Sequence, residues 1–172
     1  KLHKMLLQAV LTLCIAVVAY TYAGHPLLLF VLARLRPRPW IRQESSLSVA
    51  VFVSAYNEEK GISVRLRNLL AQDYSGPFQI VIANDGSKDH TAEIVRSFGD
   101  PRIVLQDFQI NRGKAAMQNQ LVPELQTDIV IFSDATCVWP TDTVRRIVSN
   151  FSDPAVGCVA VDLLFLSEKN GV

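Results

Sequence analysis

The stretch Ser48–Glu59, SVAVFVSAYNEE, decides the fold. Its first seven residues are short and mostly apolar and predict a strand over Ser48 to Ser54, which gives way at once to the polar, acid-bearing cluster SAYNEE. Acids at a strand end are commonly no more than turn formers, so the reading depends on whether the pattern recurs. It recurs twice. A strand over Phe78 to Ala83 runs into NDGS (Asn84 to Ser87), and one over Ile129 to Ser133 runs into SDAT (Ser133 to Thr136). Between and after them lie helical patterns: Gly61 to Gln72, with apolar Ile62, Leu66, Leu69 and Leu70 on one face; Asp89 to Phe98, with Asp89 as N-cap; Lys114 to Leu125, disturbed at Pro123; and Asp142 to Phe151. Arg102 to Gln106 and Val156 to Val161 complete the set as a third and a fifth strand. Strands alternating with helices predict an α/β domain with a mainly parallel sheet covered on both faces.

Charge separates this domain from what precedes it. Residues 1 to 42 carry six basic residues and no acid, and the other 11 basic and 16 acidic residues leave the remainder at −5. An acidic globular part argues against a nucleic-acid partner, which needs a basic face to displace counterions. The run Met5 to Leu35 has no acid and no Lys or Arg before Arg34, and exceeds the ~20 residues that cross a bilayer. It predicts a transmembrane helix, broken near Gly24, His25 and Pro26, with His25 at the interface beside Tyr20 and Tyr22. Four arginines follow it against two lysines before it, which places the next domain in the cytoplasm. The linker RPRPWIRQESS separates the two parts, predicted as 1–42 and 43–172. Cys14, Cys137 and Cys158 are scattered and odd in number, so neither a disulfide framework nor a metal knuckle is indicated.

Parallel strands would bring the three polar clusters to one edge, where open α/β sheets bind ligands. Each cluster alone has a structural reading: Asn57 as a helix cap, Asp85 with Gly86 as a turn, Asp134 as a strand stop. Together they suit a nucleoside diphosphate with a divalent metal. Asp85 offers an acceptor for the imide proton of a uracil-like base, and Tyr56 a ring to pack beside it. Gly86 would let backbone approach a ligand closely. Asp134 supplies a hard oxygen of the kind Mg²⁺ or Mn²⁺ prefers. In NRGK, Lys114 suits the diphosphate, while Arg112 reads better as a solvated helix start. Neither a P-loop signature nor G-x-G-x-x-G is present.

The runs VFVSAYNEEKGISVRLRNLLAQDY, IVIANDGSKDHTAEIV, NRGKAAMQNQ and DIVIFSDATCVWPTDTVRRIVSNFSDPAVGCVAV resemble, in order and spacing, the nucleotide-binding half of a family 2 glycosyltransferase with the GT-A fold. The resemblance implies inverting transfer of a sugar from a nucleotide diphosphate sugar, commonly a UDP-sugar, to an acceptor hydroxyl of a glycan or lipid-linked chain. By position, Ser54, Tyr56 and Glu58 match the first nucleotide-contacting cluster, Ala83 and Asp85 the second, and Asp134, Ala135 and Thr136 the Asp-x-Asp metal motif. The YTYAGHPLLL segment is similar to the membrane lead-in of bacterial members that make or extend surface polysaccharides.

Two departures qualify the match. Thr136 stands where the motif has its second acid, which predicts a weaker, donor-dependent metal site, since Mg²⁺ is often held by one or two carboxylates plus substrate phosphates. The family's general base belongs to an acceptor-binding half, and of the acids after the fifth strand, Asp162 and Glu168, neither sits in a recognisable motif. The expectation is therefore a membrane-anchored donor-binding fragment with no assignable base. The competing expectation is a tethered nucleotide-binding module that has lost catalysis. Cys137 and Trp139, beside the metal motif, read as packing residues.

Overall fold

The computed structural model describes residues 1–36 and 41–162. Linker residues 37–40 and Glu168, both weighed above, lie outside the described residues. The chain divides into two compact units, Lys1–Trp40 and Ile41–Val172.

The first unit is one long helix over Leu2–Leu35: α1 (Leu2–Ala19), a π-helical turn (Tyr20–Gly24) and α2 (His25–Leu35). At 34 residues it spans about 50 Å and is long and apolar enough to cross a bilayer. The expected break takes a definite form. Pro26 has no N–H to give the helix, and the wide turn just before it carries the His25 amide to the carbonyl of Tyr20. Gly24 makes room for this, because a Cβ there would sit 2.9 Å from Cδ2 of Tyr20.

In the second unit four strands form a parallel sheet in the order β3-β2-β1-β4: β1 (Val49–Ala55), β2 (Phe78–Asp85), β3 (Ile103–Phe108) and β4 (Ile129–Asp134). β1 lies in the interior, and Val49, Val51 and Val53 are fully buried, each contributing about 1.5–3 kcal/mol of apolar burial. The first layer of helices, α3 (Ile62–Leu70), α4 (Thr91–Ser97) and α6 (Thr143–Val148), covers one face through Ile62, Leu66, Leu69, Val95, Val144, Ile147 and Val148. The other face is covered by α5 (Lys114–Leu121) through Met117 and Leu121, packed on Ala50, Phe52, Val81 and Ala83. Asp128 aligns the edge strand: its Oδ2 accepts both the Ser48 amide at 2.8 Å and the Ser48 hydroxyl at 2.6 Å, and these bonds hold its carboxyl below the ordinary range.

Two expectations need correction. Val156 to Val161 is not a strand: only Val156 and Val159 are even half-buried, three positions apart, so the segment lacks the period of two that pairs a strand and buries one face. Its valines report composition rather than pairing. Coverage of both faces is also incomplete at β4, where Phe132 is 51 % exposed and meets Phe52 in an edge contact, at 5.9 Å between ring centroids. The apolar run IVIF suggested two buried faces, but on the α5 side Val130 packs against the cluster only in part and Phe132 is left open. The helices otherwise run slightly shorter than their patterns. Pro123 ends α5 in a 3-10 turn (Val122–Glu124), and Asp89 lies two residues before α4, its Oδ1 accepting the Thr91 amide at 3.0 Å.

Candidate functional site

Parallel pairing sets the edge. Ser54 lies opposite both Ala83 and Asp134, and Asp85 opposite Phe108, so SAYNEE, NDGS and SDAT all leave the sheet on one side. The strand order reverses between β1 and β4, the place where open sheets of this kind form a crevice.

The first two loops are bonded together. The Asn57 amide donates to Ser87 Oγ at 2.9 Å, and Asn57 Oδ1 accepts the Lys88 amide at 2.9 Å. Glu58 donates its amide to Thr91 Oγ1 at 2.8 Å, and Glu59 donates its own to Asp89 Oδ2 at 3.0 Å. Asn57 therefore does not cap α3, whose boundary residue is Gly61; it takes a positive φ of 56° and ties loop to loop. Burial works to raise the Asp89 pKa, but hydrogen bonds from Thr91 and Glu59 together outweigh it and hold the carboxyl below its ordinary value.

Asp85 is the fixed point. It is 5 % exposed, and its two oxygens accept the amides of Arg112 and Gly113, each at 2.8 Å. These bonds draw the NRGK segment over the end of β2. Gly86 permits that approach: its φ is +71°, and a Cβ would lie 2.7 Å from the Asn111 nitrogen and 2.9 Å from the Ile110 carbonyl carbon. The glycine thus accommodates the chain's own backbone, where a ligand's approach was expected. A carboxylate has about four acceptor positions, so two remain to Asp85.

Around it opens a cleft of about 290 Å³, lined by Ser54, Tyr56, Glu58, Asp85, Asn111 and Lys114 together with Ala55 and Gly113. Five of the six residues expected to touch a nucleotide are among these. Ala83 is not: it is fully buried in the core beneath, against the side chains under α5. Asn111, the first residue of NRGK, also lines the cleft, a place its polar neighbours in the sequence do not distinguish. Ser54 Oγ is buried without a partner, an unsatisfied hydroxyl at the wall of a polar cleft. Tyr56 is 46 % exposed. Arg112 turns away, donating from Nη1 to Gln120 Oε1 at 2.6 Å, as a solvated residue would.

The metal-motif residues stand at the outer side. Asp134 and Thr136 are exposed, and Lys114 Nζ lies 2.6 Å from Asp134 Oδ1 in an ion pair whose side chains are 51 % and 59 % exposed. Lys114 therefore joins the Asp85 cleft to the end of β4. No cluster of three His, Cys, Asp or Glu side chains exists among the described residues, and of the two metal-motif positions only Asp134 carries a carboxylate. Trp139 is half-buried against the core, which is packing and not a platform. Cys137 is a half-buried free thiol.

Comparison with known proteins supplies the context. The sequence matches the Glycosyl transferase family 2 model over residues 50–170. It is 33 % identical over 127 residues to the poly-beta-1,6-N-acetyl-D-glucosamine synthase of Staphylococcus aureus (strain COL), covering 73 % of this chain and 31 % of that protein. The chain thus spans about a third of the length of the curated relatives it matches. Among solved structures, the mannosyltransferase PcManGT from Pyrobaculum calidifontis, in complex with GDP-Man and Mn²⁺, superposes with a TM-score of 0.65 at 32 % identity, over 83 % of this chain and 44 % of that one. TarS 1-349 of S. aureus in complex with UDP gives 0.54 at 25 % identity, over 59 % and 31 %.

Proposed function

The chain belongs to glycosyl transferase family 2, and from that premise we propose that it is the membrane-anchored, donor-binding part of an inverting glycosyltransferase. The donor is a nucleotide diphosphate sugar, UDP-linked in first place, and the acceptor a hydroxyl on a glycan or lipid-linked chain of a bacterial surface. One observation carries this reading: Ser54, Tyr56, Glu58, Asp85 and Lys114, from three separate segments, line one cleft at the carboxyl ends of parallel strands.

Each residue has a role in that reading. Asp85, held by two backbone amides, keeps spare acceptor positions for the imide N–H of the base, while Ser54 Oγ finds the partner it lacks. Tyr56 packs on the base. Lys114 leaves Asp134 for the diphosphate, an exchange that loses little because an exposed pair is worth only about 0–1 kcal/mol. The site suits a divalent metal, Mg²⁺ or Mn²⁺: Asp134 offers a hard carboxylate and Thr136 a hydroxyl, with phosphate oxygens and water filling the remainder. Such an ion neutralises charge on the departing nucleoside diphosphate. No residue of this chain is assigned as the base that takes the acceptor proton. The 34-residue helix anchors the protein in the cell membrane, and the arginines after it orient the domain to the cytoplasm.

The test is titration of UDP and GDP into the full chain in detergent, with and without Mn²⁺. Binding of UDP that weakens strongly in Asp85→Asn and Tyr56→Ala is expected; binding of neither nucleotide sinks the proposal. Thr136 favours the second reading, a nucleotide-binding module without transfer. Turnover of a nucleotide sugar by the longer protein decides between the two.

A further inference from the structure

Arg65 is 1 % exposed, yet among the described residues no Asp or Glu lies within ion-pair distance of it. Burial lowers its pKa to about 10, against the weaker opposing attractions of Cys137 and Asp134, so it stays charged at neutral pH. A buried unpaired cation is costly, and its neighbours show what it holds in return. Nη2 donates to Ser133 Oγ at 2.6 Å, Nη1 donates to Asn68 Oδ1 at 2.8 Å, and the guanidinium carbon lies 4.2 Å from the centroid of Trp139.

Ser133 and Trp139 are the two flanks of the segment that presents Asp134 and Thr136. The far flank is gripped again by α3 and by Gln72, two residues past its end. Asn68 Oδ1 accepts the Trp139 amide at 2.9 Å while Nδ2 donates to the Trp139 carbonyl at 2.7 Å. Gln72 Nε2 donates to the Pro140 carbonyl at 3.0 Å, and its Oε1 accepts the Val144 amide at 3.2 Å. Positions 65 and 68 share one face of α3 and Gln72 follows just beyond its end, so a polar seam runs beneath the segment. The pairing of β4 with β1 holds the backbone as far as Asp134, and beyond it the segment's own backbone contributes a long bond from the Cys137 amide to the Asp134 carbonyl, at 3.4 Å. Past the end of β4 its shape is set from below.

We propose that Arg65, seconded by Asn68, is a positioning residue that fixes how Asp134 and Thr136 are presented to a divalent metal bound with the nucleotide diphosphate. The inference rests on the donor-binding reading and adds the residue that sets its metal dependence. Arg65 touches neither nucleotide nor metal in it. Groups that orient a metal's ligands are typically worth ten- to a hundredfold in metal affinity, and with a single carboxylate to orient the larger share falls on that geometry. Lysine cannot replace it, since a point charge lacks the fork that reaches Ser133 and Asn68 together and the plane that stacks on Trp139.

The experiment measures UDP affinity of the full chain with and without Mn²⁺, alongside the thermal midpoint, for the parent, Arg65→Met, Arg65→Lys and Asn68→Ala. The expected result is a selective one. The gain in UDP affinity on adding Mn²⁺ falls by about tenfold or more in both Arg65 variants, and less in Asn68→Ala, while metal-free UDP affinity stays within about twofold of the parent. A merely structural arginine would lower both affinities in proportion to the loss of thermal midpoint, and that outcome overturns the proposal. So does a retained Mn²⁺ gain in the variants, or a parent whose UDP affinity ignores Mn²⁺. Should Arg65→Met fail to unfold cooperatively, Asn68→Ala alone carries the same test. A parent that binds neither UDP nor GDP defeats the donor-binding reading itself, which separates that failure from this one.

Discussion

Asp85, in the wall of the cleft, and Asp134, at its outer side, are held in opposite ways. Asp85, at the end of β2, is buried, and both its oxygens are engaged by backbone amides. Asp134, at the end of β4, is exposed and meets a flexible lysine. Hydrogen bonds from a folded backbone to a buried carboxylate cannot be exchanged without disturbing the fold, whereas an exposed ion pair trades partners at little loss. The inner half of the cleft is thus a fixed mould, and the outer half a set of groups free to be claimed by phosphate and metal.

The sharpest way to break this contrast is Asp85→Asn. The amide can accept with one oxygen only, and its NH₂ faces an N–H that had been satisfied. The expected loss is about 2–3 kcal/mol of stability, read from denaturant midpoints, together with most of the UDP affinity. An Asn variant as stable as the parent would show that the inner half is no mould. The corresponding change outside, Asp134→Asn, should leave stability within about 0.5 kcal/mol of the parent.

Thr136→Asp tests whether the outer half is a metal site short of one ligand. Adding a second carboxylate beside Asp134 should tighten Mn²⁺ in the UDP complex by about tenfold, since charge count among the ligands tunes affinity. Equal Mn²⁺ dependence in parent and variant would place Thr136 away from the metal. Lys114→Gln is expected to do less: UDP affinity falls a few-fold, through one lost charge-assisted contact, with stability nearly unchanged. If Mn²⁺ binds the nucleotide-free variant more tightly than the parent, the lysine and the metal compete for Asp134.

The same contrast governs what could be read from the chain. SAYNEE, NDGS and SDAT were legible because parallel strands must deliver their ends to one edge, and a run of valines ending in acids marks both the strand and its direction. The fixed half was harder to read. That Asp85 binds backbone amides, and that Gly86 exists for the Ile110–Asn111 backbone, depends on a contact between segments about 25 residues apart that no local pattern encodes. Arg65 was hidden for a related reason. It sits in ISVRLRNLL among polar positions, where an arginine is normally solvated, and only the packing of α3 under the end of β4 reveals it as buried. Val156 to Val161 misled in the other direction, since apolar β-branched residues raise strand propensity without supplying a neighbour to pair with.

The smallest expected effect concerns how acid loosens the fixed half. Asp89 ties the Glu59 amide to Thr91 and so holds the first two loops of the cleft together, with a carboxyl below its ordinary pKa. A depressed carboxyl favours the folded state fully above the unfolded value of 3.8, and that support disappears as pH falls through the lower folded value. Asp100, held at about 2 by hydrogen bonds from Arg102, is shifted in the same direction but lies just before β3, outside the loops of the cleft. Thermal midpoints for the parent and Asp89→Asn, followed from pH 6 to pH 2, should therefore differ by a constant amount down to about pH 4 and converge below it. An offset that persisted at pH 2 would mean the carboxylate charge is irrelevant and only the shape of the side chain matters. In Asp100→Asn the midpoint should show the same convergence while UDP affinity at neutral pH is untouched, whereas Asp89→Asn should weaken UDP slightly at that pH, because its bonds shape the cleft.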